Sequence, residues 1–383
     1  MNFVLNFENK KYIVNMLKDF FPIIIHDDFL DDLFITVRAM AMLGDEYSLL
    51  SYGRSLINGS FCIPNKREGS KYIKKAADLG NSEACSTYGV MCYHGDGIPV
   101  DKIESLKYIK KSAEKCNSIG LLLYGILLFN GDIAEKDKQK AAVCFKKSAD
   151  LGNPESIFQY AFMLFRGDGV ETNKPEAAVY LKKGAKLGHI DSLFQYANML
   201  NYGDGIPANK DKAIKCYKKA ADKGHVTSML RYGLLIHEKE NQHQNLNQKE
   251  GIKYIKMAAD RNDSEAMYRY GLIKLNGEGC EVDVKVAIGF IEKAANQNLA
   301  PAIQLLACLF YNGVKVEVDK KKAAKWLNIL ANNGYINEMT LFACMLRNGD
   351  GVDVDKKIDQ SLIENSHKFT CNRREKSLLF FIS

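Results

Sequence analysis

Proline and tryptophan are scarce in this chain, with seven prolines and one Trp in 383 residues. Little in the composition therefore interrupts helices. Charge is not concentrated either. The net charge is +7, and residues 1–35 carry three basic and six acidic side chains, which leaves about +10 on the remainder. That is mild for the length and argues against a dedicated nucleic-acid binder, which gathers its charge into one strong patch. No early apolar run is long enough to cross a bilayer. Phe20 to Ile25 is broken by Pro22 and followed by His26-Asp27-Asp28, far short of a span. Met1 to Phe7 lacks a charged start, an apolar run and a small-residue cleavage site. The expectation is a cytoplasmic chain without direct membrane insertion.

Signatures of chemistry are missing too. There is no Gly-x-Ser-x-Gly elbow and no Cys-x-x-Cys pair. The Gly-Asp-Gly sequences lack the Gly-Lys-Ser/Thr ending of a phosphate loop, and no spacing nominates a nucleophile with its base. His237 and His243 lie near Glu238, but they form no helical i, i+4 pair with a carboxylate in ligand order. No catalytic residue, metal site or cofactor is therefore expected.

What the chain does have is a beat of 36 residues. Ala41, Ala77, Ala113, Ala149, Ala185 and Ala221 keep it, and after a two-residue insertion Ala259, Ala295 and Ala331 resume it. A second row is Asn65, Asp101, Asp137, Asn173, Asn209, Asn247, Asp283, Asp319 and Asp355. Asx side chains accept from free backbone amides at a helix start, so this row reads as N-caps. A third row is Gly44, Gly80, Gly152, Gly188, Gly224 and Gly334, with Cys116, Asn262 and Asn298 at the other beats. These residues close a helix in the left-handed conformation. Between cap and closure lies one helix of about 15 residues, here helix B. The other half of each unit, such as Ala84, Tyr88, Met91 and Cys92, has the spacing of a second helix, helix A. It ends in a turn of the type Gly95-Asp96-Gly97-Ile98. Repeated helix pairs of this kind form arrays in which each unit packs on its neighbours.

The residues Tyr88-Gly89, Gly95-Asp96-Gly97-Ile98, Asp101 and Lys110-Lys111-Ser112-Ala113 resemble the Sel1-like repeat, a relative of the tetratricopeptide repeat with a longer helix–helix loop. Gln159-Tyr160-Ala161 through Lys182-Lys183-Gly184-Ala185 is among the clearest copies, and the resemblance runs over residues 38 to 355. It implies an all-α fold, a right-handed α/α superhelical solenoid of about eight to nine helix pairs. It also implies a non-catalytic scaffold or adaptor that binds partner proteins along its concave face. Two alternatives come from the same family. One is a Sel1-type adaptor of a ubiquitin-ligase complex in endoplasmic-reticulum-associated degradation, reached through a partner. The other is a hydrolase of the secreted type, whose repeats are stapled by cysteine pairs that only Cys85 and Cys92 approach here.

Residues 1–37 read as an N-terminal helical cap. Lys10 to Phe21 would be one helix and Asp28 to Leu43 a second, capped by Asp27. Residues 356–383 read as a degenerate C-terminal cap or tail. The polar stretch Asn241 to Gln248 reads as a loop. Cys144, Cys216, Cys308 and Cys344 read as small core hydrophobes with reduced thiols. The third helix A, with Leu121 to Leu123 and Ile126 to Phe129, is apolar on more than one face, which fits either burial or an exposed binding surface. The paired lysines at 74–75, 110–111, 146–147, 182–183 and 218–219 read as a solvated outer face, or else as a stripe for acidic partners. Because A helices line the concave side in such arrays, the residues before the recurring tyrosines (Tyr52, Tyr88, Tyr124, Tyr160, Tyr196, Tyr232 and Tyr270) and before the turns should face a partner. Gln159, Arg166, Gln195, Tyr202, Arg231 and Arg269 are the candidates, and their chemistry suits an acidic peptide segment.

Overall fold

The computed structural model describes residues 27–354 apart from 61 and 239–243. The expected cap helix over Lys10 to Phe21, the cap at Asp355, the segment 356–383 and His243 lie outside the described residues. Among the described residues there are eighteen helices and no strand. They fall into two compact units, Met1–Asn209 and Lys210–Ser383.

The first unit holds a leading helix, Asp27–Met42, four A/B pairs and one more helix A. The pairs are Glu46–Asn58 with Lys66–Leu79, Ser82–His94 with Lys102–Glu114, Ser118–Asn130 with Lys138–Asp150, and Pro154–Arg166 with Lys174–Lys186. Helix A Ile190–Tyr202 follows. The second unit starts with helix B Lys210–Asp222. Three pairs follow, Val226–His237 with Gln244–Asp260, Ser264–Asn276 with Val284–Asn296, and Ala300–Asn312 with Lys320–Asn332, then helix Ile336–Asn348.

The Asx row does what its chemistry requires. Asn65, Asp101, Asp137, Asn173, Asp283 and Asp319 each accept, at 2.9–3.1 Å, from the amide three residues on. The backbone of the same residue turns the other way: Asp101 N–H donates to the Cys92 carbonyl at 2.9 Å, and Asp283 N–H to that of Lys274 at 3.0 Å. One residue thus ties the turn to helix A and opens helix B. Most B helices are 13 residues long, slightly shorter than the rows suggested. Asn247 is a correction. It lies inside the 17-residue helix Gln244–Asp260, as do Gln244 to Gln248, which the sequence placed in a loop. This turn has lost its glycines, so nothing forces the chain out of helical conformation before the usual cap position. A second cap row escaped the sequence reading. Asp45, Asn81, Asn117, Asn153, His189, His225 and Asp263 cap helix A in the same way.

The closing row adopts positive φ at all nine beats, including the three that are not glycine: Cys116 at 56°, Asn262 at 68° and Asn298 at 61°. The turn glycines have another cause. A Cβ on Gly97 would stand 2.7 Å from the Lys66 carbonyl oxygen, and one on Gly169 2.6 Å from that of Lys138. These turns, like those at Gly205 on Lys174 and Gly351 on Lys320, therefore lie directly on the start of helix B in the repeat before.

The seam between A and B is aromatic. Tyr52, Tyr88, Tyr160, Tyr232 and Tyr270 are buried. Each meets an aromatic of its helix B edge-on (Tyr72, Tyr108, Tyr180, Tyr254, Phe290) at 4.7–4.9 Å between centroids, the favoured geometry for opposed ring quadrupoles. Burial pushes the Tyr88 phenol up to about 12. Tyr124, opposite the smaller Cys144, is only half-buried. The glycine after the tyrosine sets the helix spacing, since a Cβ on Gly89 would be 2.6 Å from Ile109 Cγ1.

The alanine row is buried at Ala77, Ala113, Ala149, Ala221, Ala259, Ala295 and Ala331. Ala185 departs from it and is half-exposed.

Lysines bind repeat to repeat. At the start of helix B, Lys66, Lys102, Lys138, Lys174 and Lys320 reach the turn aspartates Asp96, Asp132, Asp168, Asp204 and Asp350 at 2.5–3.3 Å. In the paired-lysine row, Lys74 and Lys218 bond Glu104 and Glu250 while lying 5.4 Å over Tyr88 and Tyr232. Lys111 and Lys183 donate to the Ala77 and Ala149 carbonyls at 2.7 and 2.9 Å, where a cation also meets the negative end of the preceding helix B. Lys74, Lys111, Lys183 and Lys218 are joints between repeats. Lys218 and Tyr232 in turn hold the Glu250 carboxyl below its usual range.

Candidate partner-docking face

Helix Pro154–Arg166 shows how the sides of helix A divide. Ser156, Ile157, Tyr160, Ala161, Met163 and Leu164 are buried. The opposite side carries Glu155, Phe158, Gln159, Phe162 and Arg166, at i, i+3, i+4, i+7 and i+11. Phe158 and Phe162 stack at 6.0 Å with planes 28° apart. The Arg166 guanidinium covers the Phe162 ring at 4.3 Å. At the other end, Glu155 accepts from Gln159 Nε2 at 2.7 Å and faces His189 Nε2 at 3.3 Å. The His189 contact holds the Glu155 carboxyl low. His189 also lies 5.6 Å from Phe158 and caps the next helix A, joining the two repeats on this face.

The six sequence candidates all stand on this open side of their helices. Gln159 and Gln195 are half-buried and bonded locally, Gln195 Oε1 accepting from Asn198 at 3.3 Å. Arg166 and Arg231 are exposed, and Tyr202 is 67% exposed. Arg269 is exposed but already paired with Glu265 at 2.8 Å. The structure groups Gln159 and Arg166 on one helix, with Gln195 and Tyr202 on the next helix of the same unit. Arg231 and Arg269 belong to the second unit.

Phe158 and Phe162 were missed, because the candidates were drawn only from the positions before the tyrosine and before the turn; Phe158 recurs as Phe194 one repeat later, and Phe162 does not recur. Their signal was two aromatics at i, i+4 on the side opposite the tyrosine. The third helix A behaves similarly. Its open side carries Ile119, 44% exposed, with Leu122, Leu123 and Ile126 half-buried. In the second unit the open side is less aromatic. A cavity of about 150 Å³ lies there, lined by Gln304, Cys308, Tyr311 and Leu341, among others. Cys308 and Cys344 are exposed, correcting their expected place in the core. They sit at the open-side position that Phe162 holds in its own repeat. Cys85, by contrast, is buried, its thiol donating to the Ala77 carbonyl.

The Sel1 repeat profile matches eight consecutive segments, 37–81, 82–115, 118–153, 154–189, 190–225, 226–263, 264–299 and 300–335. The chain belongs to the Sel1 repeat family. Members of this family generally act as protein-interaction scaffolds. Among solved structures, the chain is similar to c5321, a protective antigen of uropathogenic Escherichia coli strains that displays an SLR fold. The identity is 24% with a TM-score of 0.75, over 86% of this chain and 70% of that one. It is also similar to a Sel1 repeat protein from Oxalobacter formigenes, at 26% identity and TM-score 0.56, over 77% of this chain and 85% of that one. No curated protein matches the chain. Among the described residues of this Sel1 repeat protein, no helix is long and apolar enough to cross a membrane.

Proposed function

We propose that this Sel1 repeat protein is a non-catalytic adaptor that holds partner proteins on the open sides of its A helices, and that it works in the cytoplasm. One observation carries the reading: the open side bears large apolar and cationic side chains, above all the half-buried Phe162 ring under the exposed Arg166 guanidinium. Partly exposed aromatic and exposed Arg side chains of this kind dominate binding hot spots. The degradation-complex adaptor is one form this role could take, and it adds only a named partner. Residues 1–37 and 356–383 serve in this reading as the ends of the array.

The test compares affinity capture by the parent chain with two folded double variants, Phe158→Ser/Phe162→Ser in the first unit and Arg231→Ala/Arg269→Ala in the second. The expected result is loss of at least one partner from one of them. Capture of every partner by both, with undiminished affinity, sinks the open-side reading.

A further inference from the structure

Resting on that reading, we infer that the open strip of Phe158, Phe162 and Arg166 takes a partner segment in which an apolar side chain stands within a few residues of a carboxylate.

The argument begins with what Arg166 lacks. It is exposed, and its guanidinium lies over the Phe162 ring at 4.3 Å. The carboxylate nearest in sequence, Asp168, is held by Lys138 at 2.5 Å. That bond, before any effect of Arg166, keeps the Asp168 carboxyl low. Arg166 therefore presents its donors with no carboxylate partner among the described residues. A guanidinium resting on a ring loses less freedom on binding than one free in water, and its fork matches a carboxylate through two parallel hydrogen bonds.

The acids of the same helix do not compete. Glu155 stands 11 residues away, about 16 Å along the axis, and is engaged by His189 and Gln159. The strip is thus polarised: its acid is satisfied at one end and its cation is free at the other. Between them lie two stacked phenyl rings, and Tyr202 stands exposed on the next helix A. An apolar side chain seated on the rings would shield the guanidinium from water and strengthen its contact with a carboxylate. A basic segment would meet Arg166 unfavourably, which gives the face selectivity as well as affinity.

The probe is a library of random 12-residue peptides displayed on phage, panned on the full chain. Enriched peptides are then measured in solution by fluorescence anisotropy. The expected motif is Phe, Leu or Trp within a few residues of Asp or Glu. Phe162→Ser should weaken these peptides at least tenfold, while Phe162→Leu retains most of the binding. Arg166→Glu should also weaken them at least tenfold, and panning on that variant should enrich Lys- or Arg-bearing peptides. Two results overturn the inference. Peptides that depend on Phe162 but bind Arg166→Glu unchanged remove the carboxylate and leave the docking face standing. No enrichment, or binding indifferent to both variants, removes the docking face in this unit as well.

Discussion

The two sides of helix Pro154–Arg166 obey different rules. On the seam side, Tyr160 meets Tyr180 edge-on, and the same pairing returns at Tyr52, Tyr88, Tyr232 and Tyr270. On the open side, the position of Phe162 is Ile126 one repeat earlier and Asn198 one repeat later. The difference is one of space. A side chain in the seam must fill a gap set by backbones in close approach, so few residues fit. The open side borders water, and the fold constrains its residues less. Recurrence across repeats therefore marks structure, and its loss marks the face where function is free to differ.

The largest expected effect tests whether the constant rows are constrained by space. Ala149 is fully buried, so Ala149→Leu should cost roughly 1–3 kcal/mol by overpacking. Ala185 occupies the same beat but is half-exposed, so Ala185→Leu should cost clearly less. Urea unfolding of both variants reads the difference, and equal losses would show that exposure does not decide the outcome. A smaller effect is expected at the caps. Asp101→Ala should lose about 1 kcal/mol, and Asp101→Asn little, because either side chain can accept the Glu104 amide. Thermal melts of the two would separate capping from a role for charge. The smallest change is a gain. Cys116 holds φ at 56°, a conformation that costs an L residue roughly 1 kcal/mol and glycine nothing. Cys116→Gly should raise the stability by up to about 1 kcal/mol, and a drop in midpoint would mean that the thiol makes a contact worth more than the strain.

Most of the repeat was legible because its causes are local. An Asx side chain capping an amide three residues on, or a residue entering the left-handed region, is settled within a few positions of chain. Asn247 failed for the same reason: its neighbours no longer forced a turn, so the helix started earlier. The proposed docking face was legible in part. Arg166 and Tyr202 were found by their place beside the turn, whereas Phe158 and Phe162 needed the knowledge of which side of the helix is covered.

The sequence by itself determined that this protein is a string of helix pairs, where most B helices start and stop, and that the alanine and tyrosine rows face largely inward, with Ala185 and the start of helix Gln244–Asp260 as exceptions. Only the tertiary structure decided how successive pairs are joined. Lys138 finds Asp168, and Lys174 finds Asp204, 30 residues further on, while Lys111 reaches the Ala77 carbonyl of the preceding repeat. Those partners are distant in the chain and adjacent only after stacking, so no local spacing announces them. The same stacking commits the lysines and Asp168 to structure and leaves the Arg166 guanidinium facing solvent on its phenyl ring.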